Sequence, residues 1–534
     1  MIHALSRLCP GRRPLAGALA LLLTAATGAA LDLTSATIPE LNAALAAGRL
    51  TSEQLTTLYL RRIAAYDKQG PEINAVITLN LDALAAARAL DAERRSRGPR
   101  GPLHGIPVVL KDNYDTVDLP TTAGCQMLEG SVPPDDACLV HRLRAAGAVI
   151  LAKVNLSELA SDGGAASGYS SLGGQTRNPH DPTRAPAGSS GGTGAAVAAA
   201  FAQLGLGTDT SSSVRAPCSV NGLAGLRPTL GLLSRDGIVP LSLSFDTGGP
   251  MARSVTDLAV VLGVLAGVDP ADPATAASAG RGEADYTAHL RRGALRGARL
   301  GVAREFFGRD PGTDRVMELA IVRLRELGAT VVDPVRLPAY ALAARAGVYK
   351  TIRSAEFPGQ LDAYLATLRP GYPRTLAELI ARAEDPAAAY RSPWKLRSLK
   401  GGVATIALDD PEYRTAQHEG RALVRAALEG VFARDRLDAI LYPTLPRPAA
   451  KIDAPEAGGT DESALHLAPV AGFPDLVVPA GMTHDGLPVT ISFLGLPYTE
   501  GRLLGLGYDF EQATQARRLP RFTPRLAGEE IADR

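Results

Sequence analysis

Two clusters of serine lie close together near the middle of the chain. Residues 187–194 read Ala-Gly-Ser-Ser-Gly-Gly-Thr-Gly, and residues 207–217 read Gly-Thr-Asp-Thr-Ser-Ser-Ser-Val-Arg-Ala-Pro. A serine hydroxyl is a weak nucleophile at neutral pH. It attacks an amide only when a base takes its proton and hydrogen-bond donors hold the developing oxyanion. Hydroxyls in such loops also serve as structural caps, so composition alone leaves both roles open.

Two lysines are candidates for that base. Lys111 ends the apolar run 106–110, and Lys153 also follows an apolar run, 148–152. A lysine can accept a proton only when it is uncharged, which requires burial to lower its pKa from about 10.4. Either run could form a strand that carries its lysine into the interior, so spacing alone does not choose between the two.

The elements around these residues follow an α/β pattern. Strands separated by helical segments favour a β-sheet covered by helices on both faces. The segment 195–206, between the serine clusters, has the length of about three helical turns, and we expect a helix there. Predicted strands lie at 73–79, 106–110 and 148–154, and predicted helices at 81–97, 136–146 and over most of 341–430.

Together with Gly105-Ile106-Pro107-Val108-Val109-Leu110-Lys111-Asp112-Asn113, the serine-rich stretch resembles the amidase signature family. The resemblance covers roughly 31–504 and is densest over 101–257. It implies the α/β amidase signature fold, with a central mixed β-sheet covered by helices on both faces. We expect one domain over 31–534, in which the helical region 341–430 shapes the substrate pocket.

The resemblance also implies a serine–cis-serine–lysine triad. The family's nucleophile corresponds to Ser213, its bridging serine with a cis peptide bond to Ser189, and its base to Lys111. The implied relay runs from Ser213 Oγ through Ser189 Oγ to Lys111 Nζ and gives an acyl-enzyme. It needs no metal or organic cofactor, and the sparse cysteines and histidines show no metal-ligand spacing.

The oxyanion hole of the family would be formed by backbone N–H groups of Thr210, Ser211, Ser212 and Ser213. The family commonly has two glycines where Ser211 and Ser212 stand. If this turn requires positive φ, serine has a steric cost that glycine lacks. The alternative to an active enzyme is therefore a non-catalytic or weakly active amide-binding member with an impaired oxyanion hole.

Three further residues are expected to support the site. Asp209 and Arg215 would fix the turn, and Ser190 would donate a supporting hydrogen bond or cap the following helix.

Two competing motifs are weaker. Gly-x-Ser-x-Gly at 188–192 needs a preceding strand, but 177–186 is rich in proline. Ser-x-x-Lys at 392–395 lacks its partner motifs.

The N-terminus resembles a cleavable secretory signal. A basic segment 1–13 precedes the apolar run 15–26, which is too short to span a bilayer, and small residues follow at 28–30. Cleavage near Ala30 would give a secreted or periplasmic protein without a stable membrane span. The alternative is a cytosolic chain with an apolar start.

A net charge of +1 and the lack of a basic stripe argue against nucleic acid as a partner.

The predicted function is hydrolysis of a carboxamide C–N bond in a small-molecule or peptide amide. Segments 171–179 and 239–255 most resemble the bacterial peptide-amidase branch of the family, which removes C-terminal amide groups from peptides. Aryl and fatty acyl amides remain alternative substrates. The family's transamidation subunit for glutaminyl-tRNA is disfavoured, because export would separate the enzyme from tRNA.

Overall fold

The computed structural model describes residues 31–160, 167–402, 406–454 and 462–531. The predicted signal peptide and its cleavage point near Ala30 lie outside the described residues. So do 403–405 of the predicted helical region.

Eleven strands of the described chain form one mixed sheet in the order β11-β10-β12-β14-β13-β8-β9-β7-β3-β4-β2. The strands β3, β4 and β7 run parallel, as do β10, β11 and β12, whereas the other neighbours in the sheet are antiparallel. The strands are β1 Leu31–Asp32, β2 Val76–Leu79, β3 Pro107–Lys111, β4 Val149–Val154, β5 Tyr169–Ser170, β6 Gly174–Gln175, β7 Leu204–Thr208, β8 Ala224–Arg227, β9 Gly248–Ala252, β10 Arg299–Val302, β11 Thr330–Val332, β12 Ala439–Pro443, β13 Asp475–Met482, β14 Pro488–Leu494 and β15 Glu530–Ile531.

Helices flank this sheet, so the predicted α/β class and its mixed sheet are confirmed. The helices are α1 Ile38–Ala46, α2 Ser52–Tyr66, α3 Ala83–Arg97, α4 Cys138–Ala145, α5 Gly191–Ala198, α6 Arg215–Asn221, α7 Val255–Leu265, α8 Pro311–Glu326, α9 Ala339–Leu365, α10 Leu376–Glu384, α11 Pro393–Gly402, α12 Pro411–Thr415, α13 Arg421–Asp435, α14 Leu467–Ala471 and α15 Glu500–Thr514.

The predicted helix over 195–206 is wrong in its position. Helix α5 begins at Gly191 and ends at Ala198, and the chain then reverses through Ala200, which has a φ of 54°, into strand β7. Every residue of both elements is buried. A strand buried on both faces has no polar alternation, so periodicity does not separate it from a buried helix.

The helical region contains α9 to α13 and is joined to the rest of the fold by two apolar clusters. One cluster joins α9 and α13 to strand β12 and includes Ile352, Val424 and Ile440. The other joins the end of α9 and helix α10 to the loops after β3 and includes Leu361 and Ala123. The long helix α9 therefore contributes to one cluster that includes strand β12 and to another that includes the loops after β3.

Candidate active site

The parallel pairing of β3 with β7 brings the predicted site residues to one edge of the sheet. Leu110 is opposite Leu206, so Lys111 and Thr208 both lie where their strands end. Helix α5 leads into β7 through a short reversal, which returns the start of the helix to this same edge. Ser189 precedes α5 and Ser213 follows β7. The fold thus gathers residues that are far apart in sequence.

Lys111 lies in the interior, in contact with hydroxyl groups. Its side chain is fully buried, and its Nζ lies 2.7 Å from Ser189 Oγ and 2.7 Å from Thr208 Oγ1. The Thr208 hydroxyl also accepts a hydrogen bond of 3.1 Å from Asn113 Nδ2. Thr208 therefore fixes the amine from a second side.

Lys153, the other candidate, faces a different set of groups. It is opposite Leu110 in the parallel β3–β4 pair, one position away from Lys111, and successive side chains of a strand point to opposite faces. Its Nζ lies 3.3 Å from Asp112 Oδ1 and 2.7 Å from Thr121 Oγ1. Burial lowers the pKa of Lys153, and Asp112 opposes that shift. Of the two lysines, the structure places Lys111 beside Ser189.

Ser189 follows a cis peptide bond, Gly188–Ser189, as the family resemblance implied. The serine is almost fully buried, and its carbonyl oxygen accepts a 2.9 Å hydrogen bond from Ser157 N. The nearby glycines are needed for close approach and not for positive φ. A Cβ on Gly192 would collide with the backbone of Asn155, and φ is not positive at Gly188, Gly191 or Gly192.

Residues 210–213, which we call the amide turn, connect β7 to α6. Among the hydrogen bonds of the described residues, none gives the N–H groups of Thr210, Ser211, Ser212 or Ser213 a protein acceptor. Ser211 and Ser212 do not have positive φ, so the steric objection to serine at these positions does not apply. The turn therefore has four successive N–H groups without a protein acceptor in the described chain, the last of them that of Ser213.

Only one link of the implied relay is formed by a hydrogen bond. Lys111 contacts Ser189, but no hydrogen bond joins Ser189 Oγ to Ser213 Oγ within the part of the chain that the structure describes. The two serine segments are nevertheless tied through the backbone, because Ser190 N donates to Ser213 O at 3.1 Å. Ser213 is 6% exposed, which is the largest exposed fraction among the three triad residues.

The side chain of Ser190 forms hydrogen bonds with the backbone at the end of β7 and does not cap helix α5. Its Oγ lies 3.2 Å from both the N and the O of Thr208. No strand among the described residues leads directly into 188–192, which excludes a nucleophile elbow at this Gly-x-Ser-x-Gly motif.

A buried charge cluster fixes both ends of the amide turn. Asp209 Oδ2 accepts from Arg215 Nε at 3.1 Å, and Asp209 Oδ1 lies 2.9 Å from Arg227 Nη1. Arg215 also contacts Asp475 Oδ2 at 2.8 Å. Burial alone would raise the pKa of Asp209, but Arg215 and Arg227 hold it at about 2. Asp209 and Arg215, which were expected to fix the turn, form a buried ion pair between residues on either side of it.

Three polar residues beside the site were not predicted from the sequence: Thr208, Asn113 and Asp246. Thr208 ends strand β7, most of which falls in the segment predicted as a helix, so its position gave no signal in the sequence. Asp246 accepts a 2.5 Å hydrogen bond from Thr210 Oγ1 across 36 residues of sequence, a contact that no local pattern indicates.

In the described ranges, no group of three or more His, Cys, Asp or Glu side chains is arranged to hold a metal ion. Cys125 and Cys218 are fully buried, and burial raises the pKa of both thiols. No helix in those ranges has both the length and the apolar character needed to cross a membrane.

The chain is similar over nearly its whole length to known amidases. The amidase family model matches residues 54–504. The crystal structure of a peptide amidase from Stenotrophomonas maltophilia superposes with a TM-score of 0.85 at 44% identity, covering 91% of this chain and 98% of that one. An amidase family protein from Bacillus anthracis has a TM-score of 0.81 at 32% identity, covering 92% and 93% of the two chains.

A curated relative from Chloroflexus aurantiacus, named as one of the subunits of glutamyl-tRNA(Gln) amidotransferase, is 40% identical over 488 residues, which cover 90% of this chain and 96% of the relative. The family model spans most of the chain, and relatives of this similarity match nearly its whole length. The chain therefore belongs to the amidase signature family, whose enzymes act on amide C–N bonds.

Proposed function

We propose that the chain hydrolyses a carboxamide in two steps with Ser213 as the nucleophile. As Ser213 Oγ attacks the carbonyl carbon, its proton passes to Ser189 Oγ and the proton of Ser189 passes to Lys111 Nζ. The C–N bond then breaks, and the relay returns a proton to the departing amine. Water next attacks the acyl ester and loses a proton to the same relay, which returns that proton to Ser213 Oγ as the C–O bond to Ser213 breaks and the carboxylic acid leaves.

The contact between Lys111 and Ser189 carries this proposal. A fully buried amine lies 2.7 Å from a hydroxyl, and burial disfavours the charged form of an amine. The uncharged form is the one that can accept a proton. Ser189 is in turn tied through its neighbour Ser190 to the backbone of Ser213, which keeps the two serine segments adjacent.

In the proposed mechanism, the N–H groups of Thr210, Ser211, Ser212 and Ser213 form the oxyanion hole. Groups without a protein acceptor are free to bind the charge that develops on the carbonyl oxygen. Since Ser211 and Ser212 do not have positive φ, their side chains are compatible with this turn. This favours an active enzyme over the alternative of a non-catalytic amide-binding protein.

The proposed substrate is a C-terminally amidated peptide. This is supported by 44% identity to the peptide amidase from Stenotrophomonas maltophilia over nearly the whole of that chain. The second candidate is the activity named for the Chloroflexus aurantiacus relative, an amidotransferase acting on glutamyl-tRNA(Gln), because that relative is 40% identical. The proposed signal peptide and export favour the peptide substrate.

A fluorophosphonate probe followed by a substrate panel tests the function. We expect the probe to label the wild-type protein and the variant Ser392→Ala, which removes the serine of the competing motif, but not Ser213→Ala. Untreated wild-type protein should hydrolyse amidated peptides, with release of ammonia, faster than it hydrolyses fatty amides or anilides, which release aniline. A folded wild-type protein that the probe never labels would support the non-catalytic alternative. Release of ammonia from glutamine, without hydrolysis of any amide in the panel, would support the second candidate.

A further inference from the structure

A buried carboxylate holds the first residue of the amide turn. Thr210 Oγ1 donates to Asp246 Oδ1 at 2.5 Å, and both residues are buried. The other oxygen of this carboxylate, Oδ2, accepts hydrogen bonds of 2.9 Å from Leu241 N and from Ser242 N. Because backbone donors fix the carboxylate, the Thr210 side chain is bound to a rigid partner.

The loop that holds Asp246 is itself bound by a second carboxylate, on helix α9. Glu356 is 5% exposed, and its Oε2 accepts a 2.7 Å hydrogen bond from Ser242 Oγ. Its Oε1 accepts from Ser244 Oγ at 2.5 Å and from Tyr413 OH at 3.0 Å. A continuous path of hydrogen bonds therefore runs from the amide turn through residues 241–246 to the helical region.

We propose that Asp246 is a positioning residue for the amide turn and that Glu356 extends this support to helix α9. Asp246 orients Thr210, and through it the first N–H group of the turn, while Glu356 holds the loop 241–246 against the helical region. Neither carboxylate contacts the reacting atoms. This inference rests on the proposed function, in which the amide turn binds the oxyanion.

The proposal predicts a specific kinetic effect. The oxyanion develops only after the substrate has bound, in the transition state and the tetrahedral intermediate, so a misdirected donor weakens transition-state binding and leaves substrate binding largely intact. A variant that loses the Thr210–Asp246 hydrogen bond should therefore have a lower kcat and an unchanged KM. A merely structural role would lower the melting temperature without this separation of kcat from KM.

Thr210→Val tests the hydrogen bond, because valine has nearly the shape of threonine without its hydroxyl. We expect kcat on an amidated peptide to fall by about tenfold, less than the loss of an oxyanion donor itself, and Thr210→Ser to restore it. In Asp246→Asn, the amide oxygen must serve Leu241 N and Ser242 N, so its NH₂ group faces Thr210, and the Thr210 hydroxyl must accept a hydrogen bond where it donates one in the wild type. This variant should lower kcat in the wild-type background but not in the Thr210→Val background.

Asp509→Asn is the matched control, since Asp509 is a buried carboxylate that accepts from Leu295 N at 2.9 Å, outside the path described above. It should keep the wild-type kcat. Wild-type kcat in folded Thr210→Val, or fully additive losses in the double variant, would overturn the role of Asp246. Wild-type kcat in folded Glu356→Gln would overturn the extension to α9.

The proposed function is checked separately in the same assay. Turnover by the wild type that is lost in Ser213→Ala would support it whatever the behaviour of Thr210→Val. Absence of turnover by the folded wild type would overturn both the proposed function and the positioning role.

Discussion

At the scale of single residues, the site depends on which hydroxyl and amide groups have protein partners. Lys111 has the hydroxyls of Ser189 and Thr208 beside it, while the N–H groups of the amide turn have no protein acceptor among the described residues. The first arrangement suits proton transfer, and the second suits binding of an anion that forms during the reaction.

Replacing the two unusual serines of the turn tests whether they impair the site. Because neither Ser211 nor Ser212 has positive φ, glycine offers no relief of strain here and adds flexibility to the chain. We expect Ser211→Gly and Ser212→Gly, singly or together, to leave kcat the same or to lower it by about two- to threefold, in line with a small entropic cost. A tenfold gain in kcat would show instead that serine impairs the oxyanion hole.

Individual residues also show how far the sequence could be interpreted. Lys111 and Lys153 both lie on buried strands, and only the register of β3 against β4 and β7 shows that Lys111 is the lysine beside Ser189. The family resemblance pointed to Lys111, but spacing did not. Asp246 could not be found because its contact with Thr210 depends on the tertiary fold.

At the scale of elements, helix α9 is tied to the loop after β3 by a buried pair. Tyr364 OH donates to Asp115 Oδ1 at 2.7 Å, and Asp115 lies four residues after Lys111. Burial raises the pKa of Asp115 to about 7, although the hydrogen bond from Tyr364 opposes this shift. The folded protein therefore retains a proton on this carboxyl at pH values where the unfolded chain has lost it.

This pair predicts a pH-dependent contribution to stability. A carboxyl whose folded pKa lies above its unfolded value stabilises the fold fully below about 3.8, and this contribution is lost as the pH rises to about 7. Asp115→Asn removes the titration and keeps an acceptor for Tyr364. Its melting temperature should exceed that of the wild type by a few degrees at pH 8, on the order expected for about 1–2 kcal/mol, with a smaller difference at pH 5. A difference in melting temperature between Asp115→Asn and the wild type that stays the same from pH 5 to pH 8 would contradict the assignment.

The sequence predicted most elements but not all of their boundaries. Strands and helices with polar outer faces, such as α3 and α4, lie close to their predicted ranges. The segment 195–206 was misassigned because α5 and β7 are buried on all sides. Buried elements lack the polar pattern on which such predictions depend.

At the scale of the whole molecule, the two ends of the described chain are joined. Strand β1 pairs with β15, with Leu31 opposite Ile531, and the buried pair Arg62–Glu529 lies nearby in sequence at 2.8 Å. Leu31 immediately follows the proposed cleavage point at Ala30. Removal of residues 1–30 would leave this pairing intact, so export with cleavage is compatible with the fold.

Export is tested with the full 534-residue chain produced in a Gram-negative host. We expect the protein in the periplasmic fraction, with an N-terminus near residue 31 by mass spectrometry. Leu22→Arg interrupts the apolar run and should keep the chain unprocessed in the cytoplasm. A wild-type chain that keeps residues 1–30 in the cytoplasm would contradict the proposed localisation.

The most direct measurement of the central claim is the pH dependence of amide hydrolysis by Lys111→Ala, with Lys153→Ala as the matched control. If Lys111 is the base, the variant should lose about 10²–10⁴-fold in kcat/KM at pH 7 and regain part of it at high pH, where hydroxide replaces the amine. Lys153→Ala protein that folds with a normal melting temperature should keep the pH dependence of hydrolysis seen in the wild type. Unchanged activity of Lys111→Ala at pH 7 would contradict the account.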